Sequence, residues 1–151
     1  MIKSTGLPNG QFLLDGLMLN QDRLRTGSKA AISLPVLKAI LIVATSGMPF
    51  DEEFYRLTYP DLRAAYDAGD VTDLRTHFIE EGYFEGRFGS KPEVDEQFYR
   101  DTYPDVAAAV AKGDVLSGLD HYMRAGAFEG RFANADDMDT VKRWNGLLGR
   151  K

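Results

Sequence analysis

Two histidines, His77 and His121, are the residues of this 151-residue chain whose type could most readily support catalysis or metal binding. A pair of imidazoles near carboxylates can hold a transition metal or exchange protons near neutral pH. The residues around them do not form HExxH or a comparable ligand spacing. Because the two histidines stand at equivalent places 44 residues apart, we expect each to meet the same local need, such as a ring hydrogen bond to a backbone carbonyl of its own segment. The sequence therefore predicts no metal and no cofactor.

Each histidine is followed eight residues later by the sequence Glu-Gly-Arg-Phe. A glycine between an acidic and a basic residue allows a tight turn to present a carboxylate and a guanidinium from nearly one point. Such a pair suits either an ion pair with the adjacent repeat or a grip on a polar ligand. The binding surface predicted from the sequence consists of Tyr55, Tyr99, His77, His121, Glu85, Arg87, Glu129 and Arg131.

Four tyrosines accompany these residues: Tyr55, Tyr59, Tyr99 and Tyr103. They could form an aromatic platform for sugar rings. Tyrosines at helical spacing are, however, more often core residues whose hydroxyl is satisfied at the rim. Both interpretations stay open at the level of sequence.

The elements that must position these side chains are two copies of one segment. Residues 51–88 align on residues 95–132 without a gap, and 21 of the 38 positions are identical. A fixed period of this size is typical of stacked repeats, in which each unit buries its apolar face against its neighbour. We predict an all-α fold in which two tandem helical repeats of 44-residue period pack on an N-terminal apolar helix. The predicted boundaries are 1–28 for an N-terminal segment, 29–49 for the apolar core helix, 50–93 and 94–133 for the repeats, and 134–151 for a C-terminal helix and tail, all in one compact domain.

Within each repeat, helix start and stop signals recur at the same offset. In the first copy Asp51 can cap one helix, and Pro60 breaks it and opens a second helix that Gly69 closes. A third helix is predicted over residues 72–81, and over 116–125 in the second copy. We expect Gly82 and its counterpart Gly126 to end these third helices with a positive φ.

The segment Leu34–Ser46 is a predicted helix, with Ser33 as a candidate N-cap and Gly47 as a candidate C-cap. Its only charged residue is Lys38, and a helix that is apolar nearly all round must be covered on more than one side. It is therefore either a core helix for the repeats or a helix whose outer face contacts a second copy or another partner. Its uninterrupted apolar run is far shorter than the roughly 20 residues that span a bilayer.

Both ends of the chain leave alternatives open. Residues 11–24 could form a hairpin that turns at Asp15-Gly16, or another helix. Residues 134–151 could form a short capping helix with a frayed basic tail, or a docking peptide anchored by Trp144.

Composition narrows the class of protein. The net charge of −5 disfavours binding to nucleic acid, and the absence of cysteine excludes disulfides and thiolate metal sites. The N-terminus lacks the pattern of a secretory signal, so we expect a cytoplasmic location, at the inner-membrane face where a partner holds the chain there. GxSxG, GxxxxGK and GxGxxG do not occur, and we predict that the chain is not an enzyme.

The second copy, FYRDTYPDVAAAVAKGDVLSGLDHYMRAGAFEGRF, resembles a tandem helical repeat with the pattern FYxxxYPDVxxA followed by HYxxxGxxEGR. That repeat occurs in bacterial glycosyltransferases and other polysaccharide-locus proteins, and in large secreted proteins of the RTX type. The resemblance covers residues 50–132, and no glycosyltransferase domain or RTX nonapeptide accompanies it here.

The resemblance implies a helical accessory module linked to envelope polysaccharide. We therefore predict a noncatalytic adaptor or assembly factor of bacterial cell-envelope polysaccharide machinery. Its expected partner is a glycosyltransferase or a polysaccharide export component, or a second copy of the chain. The alternative is direct glycan binding by the aromatic and charged edge of the repeats.

Overall fold

The structure is a computed structural model that describes residues 8–27 and 29–149. All regular elements in these ranges are helical, so the predicted all-α class is confirmed. In chain order the helices are α1 (Gly10–Gly16), α2 (Gln21–Thr26), α3 (Leu34–Ser46), α4 (Glu52–Thr58), α5 (Pro60–Ala68), α6 (Leu74–His77), α7 (Glu96–Thr102), α8 (Pro104–Lys112), α9 (Gly118–His121), α10 (Ala127–Glu129) and α11 (Met138–Leu147). No helix within these ranges is long and apolar enough to cross a bilayer.

The described part of the N-terminal segment contains two short helices, so the hairpin alternative is wrong and the helical alternative is correct. The side chain of Asn9 accepts a hydrogen bond from the backbone N–H of Gln11, and that of Asn20 accepts one from Arg23. These caps start α1 and α2. As a result, Asp15-Gly16 lies at the end of a helix rather than at a strand turn. Residues 1–7 and 28 of the predicted N-terminal segment lie outside the described residues.

Helix α3 has the predicted bounds, but it is not a core helix. Its only buried residue is Thr45, next to its C-terminal end. There the guanidinium of Arg75 in the first repeat donates to the backbone carbonyl of Ser46 at 2.9 Å. The first turns bury no residue, and neither α1 nor α2 buries a residue of its own. Ser33 and Gly47 occupy the predicted N-cap and C-cap positions, although the Ser33 side chain makes no capping bond and Gly47 has a φ of −86°.

The first two helices of each repeat match the sequence prediction. The Asp51 carboxylate accepts from the N–H of Phe54 at the start of α4, and Asp95 does the same for Phe98 in α7. Pro60 and Pro104 open α5 and α8. These helices end at Gly69 and Gly113, whose φ angles of 82° and 81° favour glycine.

The third helix of each repeat ends differently from the prediction. Helix α6 passes into a π-helical turn at Phe78–Gly82, and α9 passes into one at Tyr122–Gly126. Gly82 therefore lies inside the turn, and Gly126 has a φ of −57°. The prediction that these glycines stop a helix with positive φ is wrong. Positive φ occurs four residues later, at Gly86 and Gly130.

The buried centre of the first repeat is the ring of Tyr55. Its hydroxyl shares a hydrogen bond of 3.1 Å with Nδ1 of His77, and its ring centroid lies 5.2 to 5.7 Å from those of Phe50, Tyr59 and Phe78. The same hydroxyl lies so close to Gly82 that a Cβ at that position would overlap it. Glycine is thus required here by close approach of a side chain and not by backbone conformation.

The second repeat contains the same arrangement. Tyr99 and Nδ1 of His121 are also 3.1 Å apart, and a Cβ at Gly126 would overlap the Tyr99 hydroxyl. Each histidine forms its ring hydrogen bond within its own repeat, as expected. Their ring partner is a tyrosine hydroxyl and not the backbone carbonyl that the sequence suggested.

The two repeats and the C-terminal helix meet at equivalent positions. Phe128 of the second repeat lies against Gly86 of the first, where a Cβ would clash with its ring. The counterpart of Gly86 is Gly130, whose carbonyl accepts from the side-chain amide of Asn145 in α11 at 3.2 Å. Helix α11 thus covers the end of the second repeat, as the capping interpretation predicts. Trp144 on the same helix is exposed.

We predict that Gly82→Ala and Gly126→Ala will each destabilise the fold by about 2 kcal/mol or more, because the new methyl group overpacks the tyrosine hydroxyl. The matched control is Gly146→Ala in α11, where a Cβ meets nothing within 4 Å. Alanine should there be neutral or slightly stabilising. Urea denaturation followed by circular dichroism measures all three variants, and equal midpoints for the three would contradict the close approach.

Candidate functional site

Tyr55 and Tyr99, two residues of the predicted binding surface, are fully buried at 0% exposure. Burial also raises the pKa of each hydroxyl above its ordinary value, so both stay protonated at neutral pH. A buried ring cannot stack on a sugar or touch a partner. Their assignment to a contact surface is therefore wrong, and the alternative interpretation as core residues is correct.

The two histidines make the same contact on their buried side, but their neighbours on the solvent side differ. Nε2 of His77 lies 3.6 Å from a carboxylate oxygen of Glu81, which favours the tautomer with the proton on Nε2 and leaves Nδ1 to accept from Tyr55. In the second repeat Ala125 stands at the position of Glu81. Among the described residues no group of three or more histidine, aspartate or glutamate side chains is arranged to hold a metal ion.

Arg87 is held by two carboxylates of its own repeat. Its guanidinium donates to both oxygens of Asp61 at 3.1 and 2.7 Å, and its Nε donates to Glu85 at 2.7 Å. The same group lies over the ring of Tyr59, 4.9 Å from the centroid, and the arginine side chain is only 19% exposed. The prediction that this pair reaches the adjacent repeat is wrong, because Asp61 lies within the same repeat and satisfies the guanidinium first.

The second repeat has an equivalent cluster. Arg131 donates to Asp105 at 3.0 and 2.8 Å and to Glu129 at 2.6 Å, over the ring of Tyr103. The hydroxyl of Tyr103 in turn accepts from the backbone N–H of Phe132 at 2.7 Å. The aspartates of these clusters were missed as partners at the level of sequence. Their recurrence in both TYPD motifs was a usable signal.

These clusters have a clear electrostatic consequence. The bound guanidinium lowers the pKa of Asp61 and of Asp105 below the ordinary value. The aspartate, in turn, raises the pKa of Arg87 and of Arg131. Each arginine is therefore permanently charged and already shared between two carboxylates. It has little capacity left to bind an anionic ligand.

A groove lies where the two repeats meet, and it is the strongest candidate for a binding site. It is lined by residues of both repeats: Thr58, Tyr59, Glu85, Gly86, Arg87, Phe88, Asp120, Met123, Arg124 and Phe128. On the second repeat, Nε of Arg124 donates to the Asp120 carboxylate at 2.8 Å, and most of the Arg124 side chain is exposed. The groove thus combines charged groups of both signs with apolar surface from both repeats.

Only one half of the predicted charged edge belongs to this groove. Glu85 and Arg87 line it, whereas Glu129 and Arg131 flank Gly130 at the end covered by α11. Sequence reasoning missed Met123 and its charged neighbours, because it searched positions that are identical in the two repeats. Met123, for example, corresponds to Ile79 in the first copy.

Comparison of the chain with known protein families, with curated proteins and with solved structures finds no match.

We predict that acid destabilises the protein partly through the two arginine clusters. A carboxyl whose pKa is lower in the folded state contributes stability that is fully present above its unfolded pKa of about 3.9 and is lost as pH falls through the folded pKa. The double variant Asp61→Asn with Asp105→Asn should lose at most about 1 kcal/mol per site at neutral pH, because both carboxylates are largely exposed. It should also lose less further stability than the wild type below about pH 4.

Thermal unfolding between neutral pH and pH 3 measures this effect. The matched control is Asp70→Asn with Asp114→Asn, which removes two exposed aspartates from equivalent positions outside the clusters. Parallel acid profiles for the wild type and the cluster variant would contradict a role of the arginine clusters in acid stability.

Proposed function

We propose that this chain is a noncatalytic adaptor of bacterial cell-envelope polysaccharide machinery that acts through protein–protein contacts. The observation that carries the proposal is the groove between the repeats. It is lined by exposed charges, with Glu85 on one repeat and Arg124 on the other, and by apolar surface from Met123 and Phe128. A polar rim around apolar surface is the usual anatomy of a protein interface.

A protein partner fits this groove better than a glycan. Two of the four tyrosines expected to form a sugar platform, Tyr55 and Tyr99, are inside the repeats. The opposite charges of Glu85 and Arg124 would instead complement a peptide segment that carries both signs. Charge complementarity of this kind contributes specificity and register as well as attraction.

The noncatalytic part of the proposal is supported by how the reactive side chains are used. Nδ1 of each histidine is engaged by a tyrosine hydroxyl, and each cluster arginine is held by two carboxylates. These contacts stabilise the repeats. The polysaccharide context rests on the resemblance of the repeat sequence. It leads us to propose a glycosyltransferase or an export component at the inner-membrane face as partner.

We predict that Arg124→Glu will reduce recovery of the partner at least about tenfold, because reversing this charge should cost about 1.4 kcal/mol or more at an interface edge. The tagged chain would be expressed at native level in the bacterium that encodes it, affinity-purified and analysed by mass spectrometry. The wild type should enrich a glycosyltransferase, polymerase or exporter subunit.

The matched control is Arg63→Glu. Arg63 forms an exposed pair with Asp67 at the same i, i+4 spacing as Arg124 with Asp120, and it does not line the groove. This variant should recover the partner as the wild type does. Equal recovery by both variants would exclude the groove, and the absence of polysaccharide proteins from the wild-type sample would exclude the pathway.

A further inference from the structure

One stripe of α3 is apolar and uncovered. Leu34, Leu37 and Leu41 follow one another at spacings of three and four residues, so they lie on one face of the helix. Leu34 is 78% exposed and Leu37 is 39% exposed. The residues facing Pro8 and Leu13 of the N-terminal segment belong to other positions of the helix. That segment therefore leaves the leucine stripe open.

The leucine stripe forms one wall of a groove whose other wall comes from the first repeat. The opposite wall consists of Glu80 and of Phe84, whose ring is 45% exposed. Lys38 stands on the α3 wall within the stripe. Exposed apolar surface of this kind, rimmed by charge, usually marks an interaction site.

The charges of this groove identify its occupant. Within the described chain neither Lys38 nor Glu80 has an ion pair, although both line the groove, on opposite walls. An apolar helix that brings a cation to Glu80 and an anion to Lys38 would complement both the charges and the apolar surface of the groove. Helix α3 is itself apolar with Lys38 as its single charge, and Glu80 lies across the same groove, so a second copy of this surface offers both charges.

We propose that two copies of this chain form a two-fold symmetric dimer through this groove, with each α3 packed against the other. A two-fold contact brings the same surface of both copies together, so the pairing of Lys38 with the partner's Glu80 occurs twice in one interface. The leucine stripes and Phe84 form the apolar centre between the two ion pairs. Helix α3 is about 20 Å long at 1.5 Å per residue, which provides several turns of contact.

This dimer goes beyond the adaptor function and does not depend on it, because the α3 groove and the groove between the repeats are lined by different residues. It would have a functional consequence nonetheless. A dimer presents two copies of the groove between the repeats, and linked sites raise apparent affinity for a repeated partner through effective concentration.

Sedimentation equilibrium across a wide range of concentrations tests the proposal. The wild type should be dimeric, and Leu34→Glu with Leu37→Glu should weaken the dimer at least about tenfold, since each carboxylate would be buried at the apolar centre. Glutamate in the first turn of a helix is favourable, so the variant should remain folded, and circular dichroism checks this. The matched control, Leu57→Glu with Leu116→Glu, changes two exposed leucines outside the groove and should dimerise as the wild type does.

A charge exchange tests the pairing itself. Lys38→Glu and Glu80→Lys should each weaken the dimer, because each leaves like charges facing one another, and the double variant should restore it. Failure of the double variant to restore the dimer would overturn the two-fold arrangement. A wild type that stays monomeric, or a dimer that the leucine variant leaves intact, would overturn the proposal. The monomeric result would leave a helix of a different protein as the occupant of the groove.

Discussion

The hydroxyl of Tyr55 lies between an imidazole nitrogen of α6 and the bare backbone of Gly82, and the organisation of the first repeat follows from that contact. A tyrosine brought to 0% exposure must satisfy its hydroxyl internally, and the nearest helix provides both an acceptor and the space that only glycine leaves. The histidine and the glycine are thus explained by one buried ring. In the second repeat the hydroxyl of the buried Tyr99 shares the equivalent hydrogen bond with His121.

A second constraint, at the surface of each repeat, ties its two ends together. Arg87 near the end of the first repeat binds Asp61 at the start of α5, and Tyr59 lies beneath the guanidinium. Charge-assisted bidentate bonds of this kind are directional, so they define how the final turn returns to the first helices. The identical residues Tyr59, Asp61 and Arg87 therefore hold the first repeat together. The residues that distinguish the groove between the repeats, such as Met123 and Arg124, differ between the copies. Others that line it, such as Glu85 and Phe128, are the same in both copies.

The two ends of the pair of repeats are covered to different extents by the neighbouring helices. Helix α11 reaches the second repeat through Asn145, and α3 reaches the first repeat mainly through its C-terminal end. The leucine stripe of α3 is left exposed as a consequence. Both grooves proposed as interfaces follow from the way the repeats and end helices pack. One groove lies between the two repeats, and the other lies between α3 and the first repeat, which α3 covers incompletely.

The sequence by itself determined whatever depends on near neighbours along the chain. Capping by Asp51, helix initiation by Pro60 and the left-handed Gly69 are local effects of side chain and backbone, and each could be predicted, as could the all-α class. The tertiary structure alone decided that Tyr55 is buried, that Arg87 binds Asp61 and that Gly82 makes room for a hydroxyl. These contacts join residues 22 to 27 positions apart, and they depend on how a helix returns to its predecessor. The exposure of α3 likewise depends on tertiary structure. An apolar sequence predicts that a helix will be buried, but only the packing of the rest of the chain decides which of its faces are covered.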